Sequence, residues 1–420
     1  MKTVRFGLAV CIAFALAGSL YAKGQSESTS GSTAAKPVTI SIWMGSWWQG
    51  HTSDMIQAFE KDHPNITVNI DLVPINGYLD KAITAVLGGS APDMVALDAS
   101  FIATMAGRNL LQPWDAYIKN LDMSDFNQAM VTAGTVNGKL YALPYRGSTG
   151  VYFYNKTMFS GAGLPDPKQG WTYQDMLAMA QKITVPGQKY GVGIAVAQSD
   201  PANVFSSFAP VLWAFGGDFL NADGTKAAIN SPNAIKAITF WTDLYTKYHV
   251  VPEGSINFSL TKDVVPLFSA NKIALFPGSS AQFDMLNSQQ SLKFAAVVGP
   301  DGYNRGGGWA YAIPTNAPNA DAARTFALWL VQPDILAKYL IRQPARASAT
   351  NVPPWNSPAY QPFFAAGKWS KLTPITPAWN QMATDMITEL QKILQGQETP
   401  TQGANNMATG INAALAAVSK

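Results

Sequence analysis

The sequence predicts an α/β protein in which two α/β halves follow one another along the chain. Short apolar strands alternate with amphipathic helices from Val38 to about Arg108, and such alternation favours a sheet with helical crossovers. The same pattern resumes after a polar stretch at residues 145–150. The chain has 420 residues, more than one hydrophobic core normally organises.

The first half is predicted to contain three strands and three helices. In residues 66–73 isoleucine, valine and leucine alternate with polar residues, which is typical of a strand with one buried face. Met55, Ile56 and Phe59 fall on one helical face, and Pro64 ends that helix. The predicted strands are 38–44, 66–73 and 93–97, and the predicted helices are 53–63, 78–87 and one ending at about residue 108.

A polar stretch separates two short apolar strands in the middle of the chain. The strands are predicted at 140–144 (LYALP) and 151–155 (VYFYN), with RGSTG between them. Pro144 cannot donate to a sheet ladder, so it marks the end of the first strand. The polar residues allow two interpretations, an ordinary hairpin loop or a crossing between two lobes.

The second half repeats the alternation with clear helix starts. Thr172 and Asp175 have the spacing of a capping box for a helix that ends at Ile183. Ser231 and Pro232 have the residue types of an N-cap and a first helical position. Further strands are predicted at 273–276, 294–298 and 306–313, and further helices at 232–248, 319–342, 380–394 and 401–418.

The N-terminus has the pattern of an export signal. Lys2 and Arg5 precede an apolar run that ends at Ala22, which predicts a secretory signal peptide over residues 1–22. Residues 23–37 are rich in Ser, Thr and Gly and predict a flexible linker. An uncleaved anchor helix and a lipoprotein attached through Cys11 are the alternatives. Loss of Cys11 with the signal would leave no cysteine, excluding disulfides and thiol chemistry.

Composition and motifs exclude several classes of function. The formal net charge is +3 without a dense basic run in the mature chain, which argues against nucleic-acid binding. The three histidines, His51, His63 and His249, are far apart, and neither a zinc motif nor a G-x-S-x-G elbow occurs. No metal, cofactor or catalytic residue is therefore predicted. Paired catalytic carboxylates stay open, because their geometry is invisible in a sequence.

Tryptophans in turn-rich stretches are the most prominent candidate binding residues. These are Trp47, Trp48, Trp309, Trp355 and Trp379. An indole ring stacks well on the apolar face of a flat ligand such as a pyranose. The competing interpretation is that each ring covers the core. The tryptophans at 213, 241 and 329 fall in helical patterns and are predicted to be core residues.

An ordered set of segments resembles the extracellular solute-binding proteins of bacterial ABC importers, in the sugar-binding group that includes maltose-binding protein. The resemblance covers essentially residues 38–418. Its segments are GSAPDMVALDAS with GRNLLQPW, GKLYALPYRGSTGVYFYNKTMFSGAGL, WTYQDMLAMAQKI, GGDFLNADGTKAAINSPNAIKAITFWTDL, FSANKIALFPGSS and GGGWAYAIPTNAPNADAARTFALWL. Asn271 departs from the glycine usual in that family.

The resemblance implies a two-lobed periplasmic-binding-protein fold with an interlobe cleft and crossing hinge strands. The N-terminal lobe would comprise residues 38–146 and 299–345, and the C-terminal lobe residues 147–298 and 346–420. Residues 145–150 would form the first crossing, with further crossings near residues 298–300 and Arg346.

The resemblance and the tryptophan pattern together give the expected ligand-binding residues. Ser148 stands where maltose-binding protein has an acidic sugar contact, so Arg146 is a candidate to replace it. Ser280 lies in a loop where relatives carry a stacking aromatic. For Asp98 the alternative role is a helix N-cap, and for Arg346 it is a salt bridge between lobes. The expected residues are Trp47, Trp48, Gln49, Asp98, Ser100, Arg146, Ser148, Ser280, Gly308, Trp309, Arg346 and Trp379.

The function implied is non-catalytic transport. The protein would capture a mono- or oligosaccharide outside the inner membrane, close over it by hinge motion, and deliver it to the permease transmembrane subunits of an ABC transporter. It would act as a monomer in the periplasm or another extracytoplasmic compartment, without cofactor or nucleic acid. The alternatives are a carrier for a polyol or glycerol phosphate diester and, less favoured, a secreted glycoside hydrolase.

Overall fold

The computed structural model describes residues 36–74 and 77–418. The predicted signal peptide, residues 1–22, and nearly all of the predicted linker, residues 23–37, lie outside these ranges. Residues from Pro37 onward form one compact unit.

Thirteen strands are present in the described residues. In chain order they are β1 (Val38–Gly45), β2 (Ile66–Val73), β3 (Met94–Asp98), β4 (Leu111–Gln112), β5 (Thr135–Val136), β6 (Lys139–Leu140), β7 (Ala142–Thr149), β8 (Val151–Asn155), β9 (Tyr190–Val192), β10 (Ile273–Gly278), β11 (Phe294–Val297), β12 (Asn304–Pro314) and β13 (Ser370–Lys371).

Fifteen α-helices lie among the same residues. They are α1 (Ser53–Asp62), α2 (Tyr78–Leu87), α3 (Ala99–Gly107), α4 (Gln128–Gly134), α5 (Lys156–Gly161), α6 (Tyr173–Ile183), α7 (Pro201–Ala214), α8 (Pro232–Thr246), α9 (Val265–Ser269), α10 (Ser280–Asn287), α11 (Ala320–Leu330), α12 (Pro333–Tyr339), α13 (Gln361–Gly367), α14 (Trp379–Leu394) and α15 (Pro400–Val418).

The first sheet joins strands that are distant in sequence. Its order is β13-β12-β3-β1-β2, and β4 and β7 also pair with β12. β1 is parallel to β2 and β3, whereas β12 is antiparallel to β3 and β7. The strand predicted at 38–44 is observed as β1, in which Ile40, Ile42 and Met44 are fully buried.

A single residue separates β7 from β8, the first strand of the second sheet. Its order is β11-β8-β10-β9, and the chain passes from the first sheet to the second at Gly150. The polar residues before Gly150 are part of β7 and pair with β12. They are therefore not an ordinary hairpin loop, and Pro144 does not end the strand. Pro144 is tolerated because the ladder shifts register next to it, between Trp309 and Ala310.

The predicted helix starts are confirmed in detail. Thr172 and Asp175 form a reciprocal capping box at the start of α6. The Ser231 side chain accepts a hydrogen bond from the backbone N–H of Ala234, directly before Pro232. Each such cap contributes about 1 kcal/mol to stability. The helices predicted over 319–342 are α11 and α12, and Pro333 begins the second of them.

The core tryptophans predicted from helical patterns are confirmed. Trp213, Trp241 and Trp329 are at most 5% exposed. Trp309 lies within β12, in agreement with the strand predicted at 306–313, and Trp379 is the first residue of α14, so neither lies in a loop as its turn-rich surroundings suggested. The glycines before Trp309 and the prolines before Trp379 resemble turn signals. In the structure the glycines are tolerated because β12 is paired along much of its length.

Candidate functional site

One face of the first sheet collects side chains from three strands. Trp309 on β12 is paired with Asp98 on β3 and with Arg146 on β7. Residues paired directly across strands project to the same face, as do residues two or four apart on one strand. Arg305, four residues before Trp309, therefore projects to this face as well. The sheet register thus assembles one aromatic, two arginines and one carboxylate.

Three aromatic rings form a compact group at this face. Trp47 follows β1 in a short 3₁₀ helix, and its ring meets that of Trp309 edge to face, with centroids 4.4 Å apart. Tyr78 contacts Trp309 from another direction, with ring centroids 6.0 Å apart. Trp309 is almost fully buried, whereas Trp47 is partly exposed. Trp47 therefore retains accessible ring surface and Trp309 supports it.

Arg146 lies beside this aromatic group. Its guanidinium carbon is 5.5 Å from the centroid of the Trp47 ring, a cation–π geometry. The residue is 6% exposed, and its Nε has no hydrogen-bond partner within the described chain. Burial, followed by the nearby positive charge of Arg342, lowers the pKa of Arg146 to about 10. The side chain is still a cation at neutral pH.

Asp98 and Arg305 line a narrow cavity between the first sheet and the segment that follows β13. Asp98 is the N-cap of α3 and accepts hydrogen bonds from the backbone N–H of Ser100 at 3.0 Å and from its hydroxyl at 2.7 Å. The Nε of Arg305 is buried without a partner in the described residues. The cavity is lined by Asp98, Ala99, Ser100, Arg305, Gly306, Gly307, Leu372, Thr373, Pro374 and Ile375.

The second sheet contributes a carboxylate to the same region. Asp284 lies on α10, which follows β10. Burial raises the pKa of Asp284 to about 6, against the opposing effect of Arg342 and Arg146. The hydroxyl of Tyr360 lies 3.5 Å from its Oδ1. Ser280, one helical turn before Asp284, is fully buried and its hydroxyl has no partner in the described part of the chain. The charged groups thus lie at the junction of the two sheets.

Gly308 fixes the approach of β12 to β7. Its φ is +154°, and a Cβ at this position would lie 2.2 Å from the carbonyl oxygen of Arg146 and 2.8 Å from the sulfur of Met130. The residue therefore permits close strand packing rather than presenting a side chain to a ligand. Ser148, which pairs with the adjacent Gly307, is half-buried on the face that carries Arg146.

Four of the expected site residues lie in other surroundings. Trp48 is 2% exposed in the core of the first sheet, and Gln49 beside it is exposed. Trp379 packs against Phe205 and Phe219 in the core of the second sheet. Arg346 forms an ion pair with Asp125.

The Arg346 ion pair is largely buried and has further hydrogen bonds on both sides. Its Nε lies 2.7 Å from Asp125 Oδ2, and its Nη1 donates to the carbonyl oxygen of Val331. Burial alone would raise the pKa of Asp125, but hydrogen bonds from Ser348 and the charge of Arg346 outweigh it and hold that pKa below its usual value.

Replacement of Arg346 by Gln is expected to lower the free energy of unfolding by about 2 kcal/mol at pH 7, because it leaves a largely buried carboxylate unpaired. Because the folded-state pKa of Asp125 is depressed, the pair stabilises fully above the unfolded pKa, about 4, and its contribution disappears as the pH falls through the folded value. Denaturant titrations at pH 7 and below pH 4 measure this. The exposed Arg108→Gln is the control, and equal losses for both variants would contradict the role of the pair.

Three charged residues of the site are not among those expected from the sequence: Arg305, Arg342 and Asp284. Arg305 directly precedes the three glycines that lead to Trp309, so its position close to a candidate tryptophan is a usable signal. The family resemblance selects Arg346, in the segment Pro344-Ala345-Arg346, and not Arg342, four residues earlier. Asp284 offers no local signal, because only the packing of α10 brings it near the arginines.

The arrangement is suited to holding a polar ligand. Aromatic rings can cover C–H faces, and guanidinium groups donate charge-assisted hydrogen bonds to oxygen atoms. No group of three or more metal-ligating side chains occurs within residues 36–74 and 77–418. In those ranges the helices are also too short or too polar to cross a membrane.

Comparison with known proteins agrees with this geometry. The family model for bacterial extracellular solute-binding proteins matches residues 46–336. A solute-binding protein of an ABC transporter from Thermotoga lettingae, solved with α-D-tagatose, is 27% identical, with a TM-score of 0.80 over 90% of this chain and 99% of that chain. A Listeria monocytogenes ABC substrate-binding protein in complex with cycloalternan is 26% identical, with a TM-score of 0.78 and the same coverage.

A curated relative is similar over nearly its whole length. The galactooligosaccharide-binding protein of Bacillus subtilis is 24% identical over 95% of this chain and 94% of its own. The two-lobed fold implied by the sequence resemblance is confirmed by the structural matches. Because the family model covers well over half of the chain, the resemblance itself is also confirmed. The chain belongs to the family of bacterial extracellular solute-binding proteins.

Proposed function

We propose that this protein is the substrate-binding component of an ABC transporter that captures a mono- or oligosaccharide outside the inner membrane and delivers it to the permease. The observation that carries the proposal is the cluster of Trp47, Trp309, Arg146 and Arg305 on one face of the first sheet, at its junction with the second. Sugars offer flat C–H faces and hydroxyl oxygens, which match these two kinds of group.

Relatives favour a sugar over other solutes. A protein similar over most of the chain is named for galactooligosaccharides, and related structures hold α-D-tagatose and cycloalternan. A mannitol-binding relative supports the polyol alternative instead. Glycerophosphocholine occurs in a structural neighbour of 18% identity, and a relative 26% identical over 60% of this chain is named for sn-glycerol-3-phosphate. A mono- or oligosaccharide is therefore the leading ligand class, and a polyol or a glycerol phosphate diester is the alternative.

The two lobes are proposed to be residues 38–146 with 299–345, and residues 147–298 with 346–420. Two separate sheets and largely separate buried clusters support a division of this kind. Short segments assigned to the C-terminal lobe pack against the first sheet. Ala349 and Trp355 lie in its buried cluster, and β13 pairs with β12. Ligand binding would favour a closed arrangement of the lobes by its differential affinity for that state.

The cellular setting follows from the family. An extracellular solute-binding protein needs export, so the proposal includes cleavage of the signal peptide near Ala22 and a periplasmic or extracytoplasmic location. The transmembrane subunits of the permease are the proposed partner, and the protein is proposed to act as a monomer. Gel filtration with light scattering of the chain from Lys23 onward tests the last point.

A secreted glycoside hydrolase is the candidate from another class. Such an enzyme needs two carboxyl groups facing one cleft, about 5–10 Å apart. Asp98 and Asp284 are the carboxylates near the site, but Asp98 caps α3 through Ser100. Asp98 therefore already has a structural role, and the relatives of this protein are named as binding proteins. Both observations favour a carrier.

Calorimetric titration of the chain from Lys23 onward tests the proposal. The panel comprises monosaccharides, disaccharides, polyols and glycerol phosphodiesters, and each mixture is then assayed for products. One-to-one binding with the sugar recovered intact is expected. Released monosaccharide would replace the carrier with a hydrolase, and binding restricted to polyols or phosphodiesters would replace the sugar with another solute.

A further inference from the structure

The buried and half-buried arginines of this protein fall into two groups. Arg324 and Arg346 belong to the scaffold, and each has a carboxylate partner, Asp321 at 2.8 Å and Asp125 at 2.7 Å. This is the usual state of a buried cation, because removal from water without a partner is strongly unfavourable. The two scaffold pairs are therefore an internal reference for the arginines at the sheet junction.

The junction arginines differ from that reference. Within the described chain, Arg146, Arg305 and Arg342 form no ion pair. The Nε atoms of Arg146 and Arg305 are buried without acceptors, as is that of the scaffold Arg324, so the missing carboxylate partner is what separates the two groups. Burial lowers the pKa of all three. Three guanidinium groups thus share a poorly solvated region without the partners that the scaffold provides elsewhere.

Neighbouring carboxylates do not balance this charge. Asp98 lies within electrostatic range of Arg146 and Arg305, but its Oδ1 already accepts two hydrogen bonds from Ser100. Asp284 is the counter-charge of Arg342. At neutral pH three positive groups therefore face two negative ones, and the junction keeps a net positive charge.

We propose, on the basis of the proposed function, that the sugar bound here carries an anionic group, a carboxylate or a phosphate, which Arg146, Arg305 and Arg342 hold beside the Trp47 ring. A guanidinium presents a planar fork of N–H donors that matches such oxyanions, often with two parallel hydrogen bonds. The aromatic rings then cover the sugar ring, and the anion supplies the partner that each scaffold arginine has within the protein.

Matched pairs of sugars test the charge directly. Calorimetry compares D-glucuronate with D-glucose and D-galacturonate with D-galactose, and a second series uses the corresponding 6-phosphates. We expect the anionic member of at least one pair to bind 10-fold or more tightly than the neutral member. The uronate and phosphate series distinguish the two sources of negative charge.

Arginine variants test whether these side chains cause the preference for anionic over neutral sugars. Arg342→Gln and Arg305→Gln are expected to reduce the ratio of anionic to neutral affinity at least fivefold, and Arg342→Lys to retain part of it. Exposed Arg108→Gln should leave the ratio unchanged. Thermal melts confirm that each variant is folded, and Arg146→Gln is added if it folds.

The outcomes separate this inference from the proposed function. Equal or tighter binding of the neutral sugars overturns the anionic ligand and leaves a neutral-sugar carrier. An anionic preference that survives both glutamine variants overturns the role of the arginines. Failure of every sugar to bind overturns the sugar carrier and this inference with it.

Discussion

Substitution of Gly308 by alanine is expected to lower the free energy of unfolding by about 3 kcal/mol. The new Cβ would lie 2.2 Å from the carbonyl oxygen of Arg146, a backbone atom that no side-chain rotation can move. The φ of +154° adds strain for any residue with a Cβ. Backbone strain and overpacking each contribute about 1–3 kcal/mol, so their sum is large for one methyl group.

Gly307→Ala is the matched control, one residue away on the same strand. No atom lies within 4 Å of a Cβ built there, and the backbone is not in a positive-φ region. Its effect on stability is expected to stay below about 1 kcal/mol. Denaturant midpoints of both variants provide the measurement. Similar midpoints would show that β12 and β7 can separate at little cost, and would contradict the close approach described here.

The secondary structure was largely predictable because it is encoded by residues close together in the sequence. Such short-range signals are the alternation in residues 66–73, the capping box at Thr172 and the Ser-Pro start of α8. The bounds of helix α7 were not predicted, although Trp213 falls in a helical pattern, because apolar residues occupy nearly all of its faces and leave no clear amphipathic period. Residues 145–149 were ambiguous, because their strand is defined by pairing with β12, more than 150 residues away.

The site was less predictable than the fold, because it depends on contacts between residues that are distant in sequence. Asp98, Arg146 and Trp309 were named in advance, yet their sharing of one face depends on the register of three strands. Arg346 was chosen from a sequence pattern, but its charge is satisfied by Asp125, which a local pattern does not reveal. Asp284 is brought near Arg342 from the other sheet, a long-range contact that no spacing encodes.

Replacement of Trp309 by alanine is expected to have two separable effects. Loss of a ring that is 5% exposed should lower the free energy of unfolding by about 3–5 kcal/mol. Removal of the support for Trp47 should also weaken sugar binding by about 1–3 kcal/mol, or roughly 5- to 150-fold. Calorimetric titration at a temperature where the variant is folded measures the second effect, and thermal unfolding measures the first.

Two further variants assign each effect to its cause. Trp114→Ala removes a fully buried ring from the same core, outside the aromatic group, so it should destabilise comparably and leave affinity intact. Trp47→Ala removes a partly exposed ring, so it should weaken binding at least as much as Trp309→Ala while destabilising less. If Trp309→Ala and Trp114→Ala both lose stability and both keep full affinity, Trp309 is a core residue only. The aromatic contribution to binding would then rest on Trp47 alone.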